Sequence, residues 1–125
     1  MAGSKLNNTI SKDGKHLRIN IDLIEFIEEG VHFFYSPALD LTGYGNSKEE
    51  AIKSFELTVE EFFRFTHEKG TLEAELKRLG WKKHRKADQP FSAPSLTSLT
   101  RNNKQLEHIL NFQEFNKSVH QVHIA

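Results

Sequence analysis

Residues 31–51 read VHFFYSPALDLTGYGNSKEEA, and they carry the change from strand to helix in this chain. Val31–Ser36 is rich in aromatic and branched side chains, which is typical of a β-strand. Pro37 interrupts this strand because proline donates no hydrogen bond to a sheet. A short strand around Leu39–Tyr44 ends in glycine and leads to a helix start at Ser47. The segment therefore predicts two strands followed directly by a helix.

Upstream of this segment the sequence predicts one further strand. Apolar and polar residues alternate over residues 17–23, as expected for a strand with one buried face. Glu28-Glu29-Gly30 then supplies a polar, glycine-containing connection to the next strand. After a polar segment over residues 1–14, the chain is therefore expected to form a three-stranded antiparallel meander.

The sequence that follows predicts a long helix and then a short one. Ser47 and Glu50 have the spacing of a capping box, and Gly70 is a suitable residue to end the helix. A shorter helix begins after Thr71, and Trp81 is expected to fill the layer between this helix and the sheet. The apolar stripe of the long helix recurs at three- and four-residue spacing and consists of Ala51, Ile52, Phe55, Val59, Phe62 and Phe63.

From residue 82 onward the pattern is less regular. The chain is first basic and then rich in Pro, Ser and Thr, which is typical of a linker. A short helix is predicted within residues 101–116, and residues 118–124 predict a last strand, which either pairs within its own chain or exchanges with a neighbour. We expect one α+β unit with helices on one face of a sheet. Its parts are a flexible segment over 1–14, a core over 15–81, a linker over 82–100, and a short helix and last strand over 101–125.

Composition excludes several functional classes. The chain has 125 residues and no cysteine, so thiol catalysis, disulfides and cysteine-ligated metal sites are excluded. No apolar run reaches the roughly 20 residues of a membrane helix, and the N-terminus has no signal-peptide core, so we expect a cytoplasmic protein. Residues 1–80 carry 10 basic and 14 acidic side chains, whereas residues 81–125 carry 7 and 3. The acidic part suits a basic partner.

The segment from Tyr35 to Ala51 resembles the signature of HicB-type antitoxins. That family combines a strand end, a turn with proline, aspartate and glycine, and a helix that starts with Ser/Thr-x-Glu-Glu-Ala. Thr42 and Tyr44 stand where the family usually has proline and cysteine. The resemblance spans about residues 17–66, and the matching positions are Pro37, Leu39, Asp40, Leu41, Gly43, Ser47, Glu49, Glu50 and Ala51.

This resemblance implies a partial ribonuclease H-like fold that has no catalytic activity of its own. It also implies a small basic HicA-like ribonuclease toxin as the partner, and a homo-oligomer, usually a dimer or tetramer. Residues 33–35 cannot all face one side of a pleated strand, so at least one aromatic side chain is expected at a surface or interface. The residues expected to contact the partner are Phe34, Tyr35, Asp40 and Tyr44.

Two other functions remain open on the sequence alone. One is a protein-interaction scaffold without a toxin. The other is nucleic-acid binding through residues 82–104, with contacts from Lys82, Lys83, Arg85 and Lys86.

No metal or cofactor is expected. A two-metal site would need acidic residues on the last strand, and residues 118–124 contain none. His120 and His123 are three residues apart, so on a strand they would point to opposite faces.

Overall fold

The computed structural model describes residues 8–13, 16–84, 90–95, 98–99, 104–112 and 115–124. This part of the chain is an α+β fold with seven strands and three helices, and all of its strand pairs are antiparallel. In chain order the elements are β1 (Thr9–Asp13), β2 (His16–Glu28), β3 (Val31–Ser36), β4 (Leu41–Gly45), α1 (Lys48–Lys69), α2 (Leu72–Arg78), β5 (Lys82–Lys83), β6 (Phe91–Ser92), α3 (Lys104–Phe112) and β7 (Phe115–Ile124).

The long strand β2 is the centre of the sheet. Along one of its sides it pairs first with β1 and then with β3, and along the other side it pairs with β7 of the same chain. The connection from β2 to β3 is the two-residue turn Glu29–Gly30, in which both residues have positive φ, as a type I′ turn requires. The predicted three-stranded meander is present as β2, β3 and β4.

Helices cover both faces of the sheet, so the expectation of helices on one face only was wrong. The α1 face carries a core built from β2, β3, α1 and α2, which includes Ile21, Phe34 and Phe55. The opposite face, which we call the α3 face, carries a second core in which Tyr35 packs with Leu106 of α3. The second layer forms because side chains alternate along β2 and β3, and the set on the α3 face is apolar: Ile24, Phe26, Phe33 and Tyr35.

The start of α1 follows the predicted capping box. Ser47 has extended backbone geometry, and its Oγ accepts a hydrogen bond from the Glu50 amide at 3.2 Å. In a capping box the Glu50 carboxylate would accept from the backbone amide of Ser47. Here the carboxylate instead lies 3.5 Å from the Ser47 hydroxyl. The helix ends at Gly70, whose φ of 67° is left-handed.

Two glycines of β4 allow α1 to pack closely on the sheet. A Cβ atom at Gly43 would lie 2.5 Å from the Cα of Phe55, and one at Gly45 would lie 2.5 Å from the Cβ of Glu50. Both distances are shorter than any real contact of a Cβ atom. The edge strand β4 is therefore held directly beneath the first half of α1.

Two segments contain more sheet than the sequence predicted. β1 lies in the segment that was expected to be flexible, and it pairs with residues His16–Asn20 of β2. β5 and β6 lie in the expected linker, where β6 extends the sheet beyond β1. Trp81, just before β5, is buried as predicted, and its Nε1 donates to the Ala38 carbonyl at 2.8 Å.

Candidate partner-binding surface

One end of the sheet gathers exposed apolar and acidic side chains, and we call it the hairpin end. It consists of the β2–β3 turn, the last residues of β4 and the first turn of α1. These parts lie together because His32 of β3 pairs with Gly45 of β4, and Gly45 lies against Glu50 of α1. The hairpin end is thus assembled from residues 27–32 and 44–50.

Tyr44 is the most prominent apolar side chain of the hairpin end. It is 64% exposed, although its ring centroid lies 6.3 Å from that of Phe33. Phe33 in turn stacks on Phe26 with centroids 5.0 Å apart, and the register places Phe115 next to Phe26 on the same face. Tyr44 therefore ends an aromatic row across four strands, and this row supports its ring from one side.

The hairpin end also carries exposed carboxylates. Glu28 and Glu29 at the hairpin, and Glu49 and Glu50 in the first turn of α1, are all exposed. The nearby cation Lys48 is paired with Glu25, with Nζ 3.7 Å from Oε2. The hairpin end therefore carries a net negative charge, and such a field attracts positively charged partners.

Ile27 adds a second exposed apolar side chain to the hairpin end. It is 55% exposed and lies on the α1 face, opposite His32 in the register. α1 begins over β4, where Gly45 lies against Glu50, and none of the described helices covers Ile27. Ile27 and Tyr44 therefore flank the same end of the sheet from its two faces.

The outer edge of β4 is protected against pairing with another strand. The Tyr44 amide donates to the Ser54 hydroxyl of α1 at 3.2 Å, so a helix side chain takes the place of a neighbouring strand. The strand is also only five residues long and contains two glycines. A partner at the hairpin end would therefore meet side chains rather than an open backbone edge.

Phe34 and Tyr35, which were expected to contact the partner, are both buried. Phe34 is 3% exposed on the α1 face, and Tyr35 is fully buried on the α3 face. The alternation of β3 does send these two rings to opposite sides, but α3 covers the side that the sequence left open. Neither ring reaches a partner in this conformation.

Asp40 is exposed, as expected, and Tyr35 positions it. The Tyr35 hydroxyl donates to Oδ1 of Asp40 at 2.8 Å, and Asp40 has a left-handed φ of 54°. Its side chain lines a cleft of about 480 Å³ together with Arg78 and Lys104. Asp40 lies before β4 and Tyr44 near its end, so the structure does not bring these two predicted contacts together.

The other motif residues have structural positions. Leu39 is buried, and its amide donates to the Ser36 hydroxyl at 3.2 Å, which closes the turn between β3 and β4. Pro37 and Ala51 are buried as well, and Leu41 is partly buried. Together with Gly43, Ser47 and Glu50, these residues form the junction of β3, β4 and α1, and of this set only Glu50 is exposed.

The basic run is only partly described. Lys82 and Lys83 are exposed on β5, whereas Arg85 and Lys86 lie outside the described residues. Lys83 is paired with Glu73, with Nζ 3.0 Å from Oε1, and this hydrogen bond lowers the pKa of the Glu73 carboxyl. One of the two described cations is thus partly neutralised by an acid of the same chain.

The acidic residues and histidines do not assemble into a metal centre in the described part of the chain, where no group of three potential ligands occurs. Asp22 is buried on the α3 face, and its Oδ2 lies 3.7 Å from Lys117 Nζ. His120 lies on the α1 face, 3.9 Å from Glu56, while the register places position 123 on the opposite face.

Most of the exposed apolar side chains were not predicted from the sequence. Leu57 and Phe65 are exposed on the outer side of α1, and Phe115 and Val119 on β7. A signal for α1 was present, because Leu57 lies outside the apolar stripe of the helix. The exposure of Phe115 and Val119 follows from the pairing of β7 with β2, and this pairing could not be predicted from the sequence.

The fold and this surface define an α+β protein with an acidic, aromatic patch at one end of an antiparallel sheet. Comparisons with protein-family models, with curated proteins and with solved structures found no match to this chain. Among the described residues, no helix combines the length and the apolar character needed to cross a membrane.

Proposed function

We propose that this chain is a cytoplasmic, non-catalytic, HicB-like antitoxin that binds a small basic ribonuclease through the hairpin end and occludes its active site. The observation that carries the proposal is the position of Tyr44. Its ring is exposed and supported by Phe33, and four exposed carboxylates lie at the same end of the sheet. Tyrosine is enriched among the residues that dominate binding energy, and charge complementarity speeds the encounter with a basic partner.

The sequence motif supports the same proposal in a different way. The residues shared with HicB-type antitoxins build the β3–β4–α1 junction, and this junction sets Tyr44 and the first turn of α1 side by side. The motif thus acts as a scaffold for the surface. The contacts with the partner are proposed to come from the exposed side chains of the hairpin end, above all Tyr44.

The nucleic-acid alternative receives less support from the described residues. The exposed side chains of the hairpin end carry a net negative charge, which repels phosphate. Of the described cations in the basic run, Lys83 is paired with Glu73. The scaffold alternative uses the same hairpin end with a partner that is not a ribonuclease, and it is separated from the proposal by the experiment below.

The experiment is co-expression with the small open reading frame next to the gene, followed by co-purification and a ribonuclease assay. We expect a stable complex in which ribonuclease activity is suppressed. Tyr44→Ala should weaken the complex by about 2 kcal/mol, or roughly 30-fold in Kd, because it removes an exposed aromatic anchor. The binding constant is measured by titration calorimetry.

The matched control is Leu57→Ala, which removes an equally exposed apolar side chain from the outer side of α1. This control should leave Kd unchanged. A complex with undiminished ribonuclease activity would favour the scaffold function. Failure of the purified proteins to associate, or an equal loss of affinity in the two variants, would contradict the proposal.

A further inference from the structure

The strand β7 forms a long edge of the sheet. It has ten residues and, within the described chain, it pairs with no strand other than β2. Residues 115–119 are all exposed, and Val119 remains 54% exposed on the α3 face. An edge of this length is a template for a further strand.

β7 lacks the features that usually prevent such pairing. Charged residues, prolines and short strands protect natural edges. The edge strand β4, for example, is short, and Ser54 covers it. β7 has no proline, and its only charged residue at neutral pH is Lys117. The Lys117 ammonium lies 3.7 Å from the buried carboxylate of Asp22, so it is directed back onto its own sheet.

We infer that β7 pairs antiparallel with β7 of a second copy of this chain, about a two-fold axis at Val119, so that two sheets become one. The same surface contributes on both copies, as a two-fold dimer requires. In this arrangement Val119 pairs with Val119 of the second copy. Because opposed residues of two paired strands point to the same face of a sheet, the α1 faces of both copies lie on the same side of the joined sheet. The inference does not depend on the proposed toxin binding.

Charge and side-chain shape select Val119 as the position of the axis. With this register the two Val119 side chains oppose each other, and β-branched pairs stabilise a sheet. Each Lys117 then opposes Gln121 of the other copy, whereas an axis at Lys117 would set two ammonium groups against each other. The favoured register therefore pairs residues 115–123 of one copy with the same residues of the other.

The first test is the mass of the purified full chain, measured by light scattering over a dilution series. We expect a dimer of the 14.4 kDa chain that dissociates on dilution. Val119→Lys should raise the dissociation constant by about tenfold or more, because it replaces the central apolar pair with two like charges. Leu57→Lys introduces the same charge at an exposed apolar position on α1 and should leave the dimer intact.

The second test fixes the register and does not depend on a destabilising variant. The chain has no cysteine, so a single introduced thiol can link only two copies. Val119→Cys should form a disulfide-linked dimer under mild oxidation, since only the residue at the axis opposes itself. Phe115→Cys, exposed on the same strand and face, should not. A monomeric wild-type chain, or equal cross-linking at both positions, would overturn the inference.

Discussion

Among the described glycines, Gly43 has the least space for a side chain, because α1 packs directly against it. A Cβ atom there would lie 2.5 Å from Phe55 Cα and 2.6 Å from Phe55 Cβ, in the first half of the helix. Because backbone must move to relieve this contact, we expect Gly43→Ala to lower the free energy of unfolding by about 3 kcal/mol. The measurement is urea denaturation followed by the fluorescence of Trp81, which is the single tryptophan and is buried.

The control for this prediction is Gly30→Asn in the β2–β3 turn. Gly30 has a positive φ, but a Cβ atom there would meet nothing within 4 Å, and asparagine tolerates the left-handed conformation. Its effect should stay within about 0.5 kcal/mol. If Gly43→Ala left the free energy of unfolding unchanged, the close contact between β4 and α1 at Gly43 would be contradicted.

The burial of Phe34 and Tyr35 shows what the sequence could predict at single residues. The alternation of β3 correctly places neighbouring rings on opposite faces, which is a property of the strand itself. Whether the second face is open depends on Leu106 and Ile109, which lie about 70 residues away along the chain. Local patterns carry no information on such distant packing, so the burial of Tyr35 could not be predicted from the strand alone.

The N-terminal cap of α1 carries a prediction at the level of the helix. Ser47 satisfies the Glu50 amide, which otherwise lacks a partner within the helix. We expect Ser47→Ala to cost about 1 kcal/mol of stability, and Ser47→Thr to cost less, since threonine keeps an acceptor oxygen. Thermal unfolding followed by circular dichroism measures both variants.

An equal loss of stability in the two variants would contradict this role. Threonine keeps the acceptor oxygen and alanine does not, so equal losses would mean that the cap hydrogen bond contributes nothing. The same cap positions Glu49 and Glu50 at the hairpin end, so its loss should also weaken partner binding, provided that the helix start frays.

The elements differ in how far the sequence determined them. α1 was predictable because its cap, its apolar stripe and its terminal Gly70 are all local signals. β1, β5 and β6 were not, because short polar strands are stabilised mainly by pairing with β2 or with each other. β7 was predicted as a strand, but its neighbour and its outer edge follow only from the register with β2.

At the scale of the whole molecule, charge and shape are distributed unevenly. The acidic side chains concentrate in residues 1–80, and four of them are exposed at the hairpin end. The inferred dimer edge lies along β7, which is separated from β4 by the width of the sheet. Two copies joined at β7 would therefore keep both hairpin ends accessible, and partner binding and dimerisation would occupy different surfaces.

This charge distribution predicts how the proposed complex forms. If the acidic hairpin end guides a basic partner, the association rate should fall steeply with salt while the dissociation rate changes little. Raising the salt concentration from about 0.1 M to about 1 M shortens the screening length from about 10 Å to about 3 Å, so guidance over longer distances is lost. Stopped-flow or surface-based kinetics measures both rates.

Two double variants with the same change in charge separate guidance by the hairpin end from a general effect of net charge. Glu29→Gln with Glu49→Gln removes two carboxylates at the hairpin end, whereas Glu60→Gln with Glu68→Gln removes two from the exposed side of α1 further along the helix. The first pair should slow association several-fold at low salt and the second much less, because the field acts on a partner that approaches Tyr44. Equal slowing by both pairs would mean that net charge alone attracts the partner, and the hairpin end would then lose its assigned role.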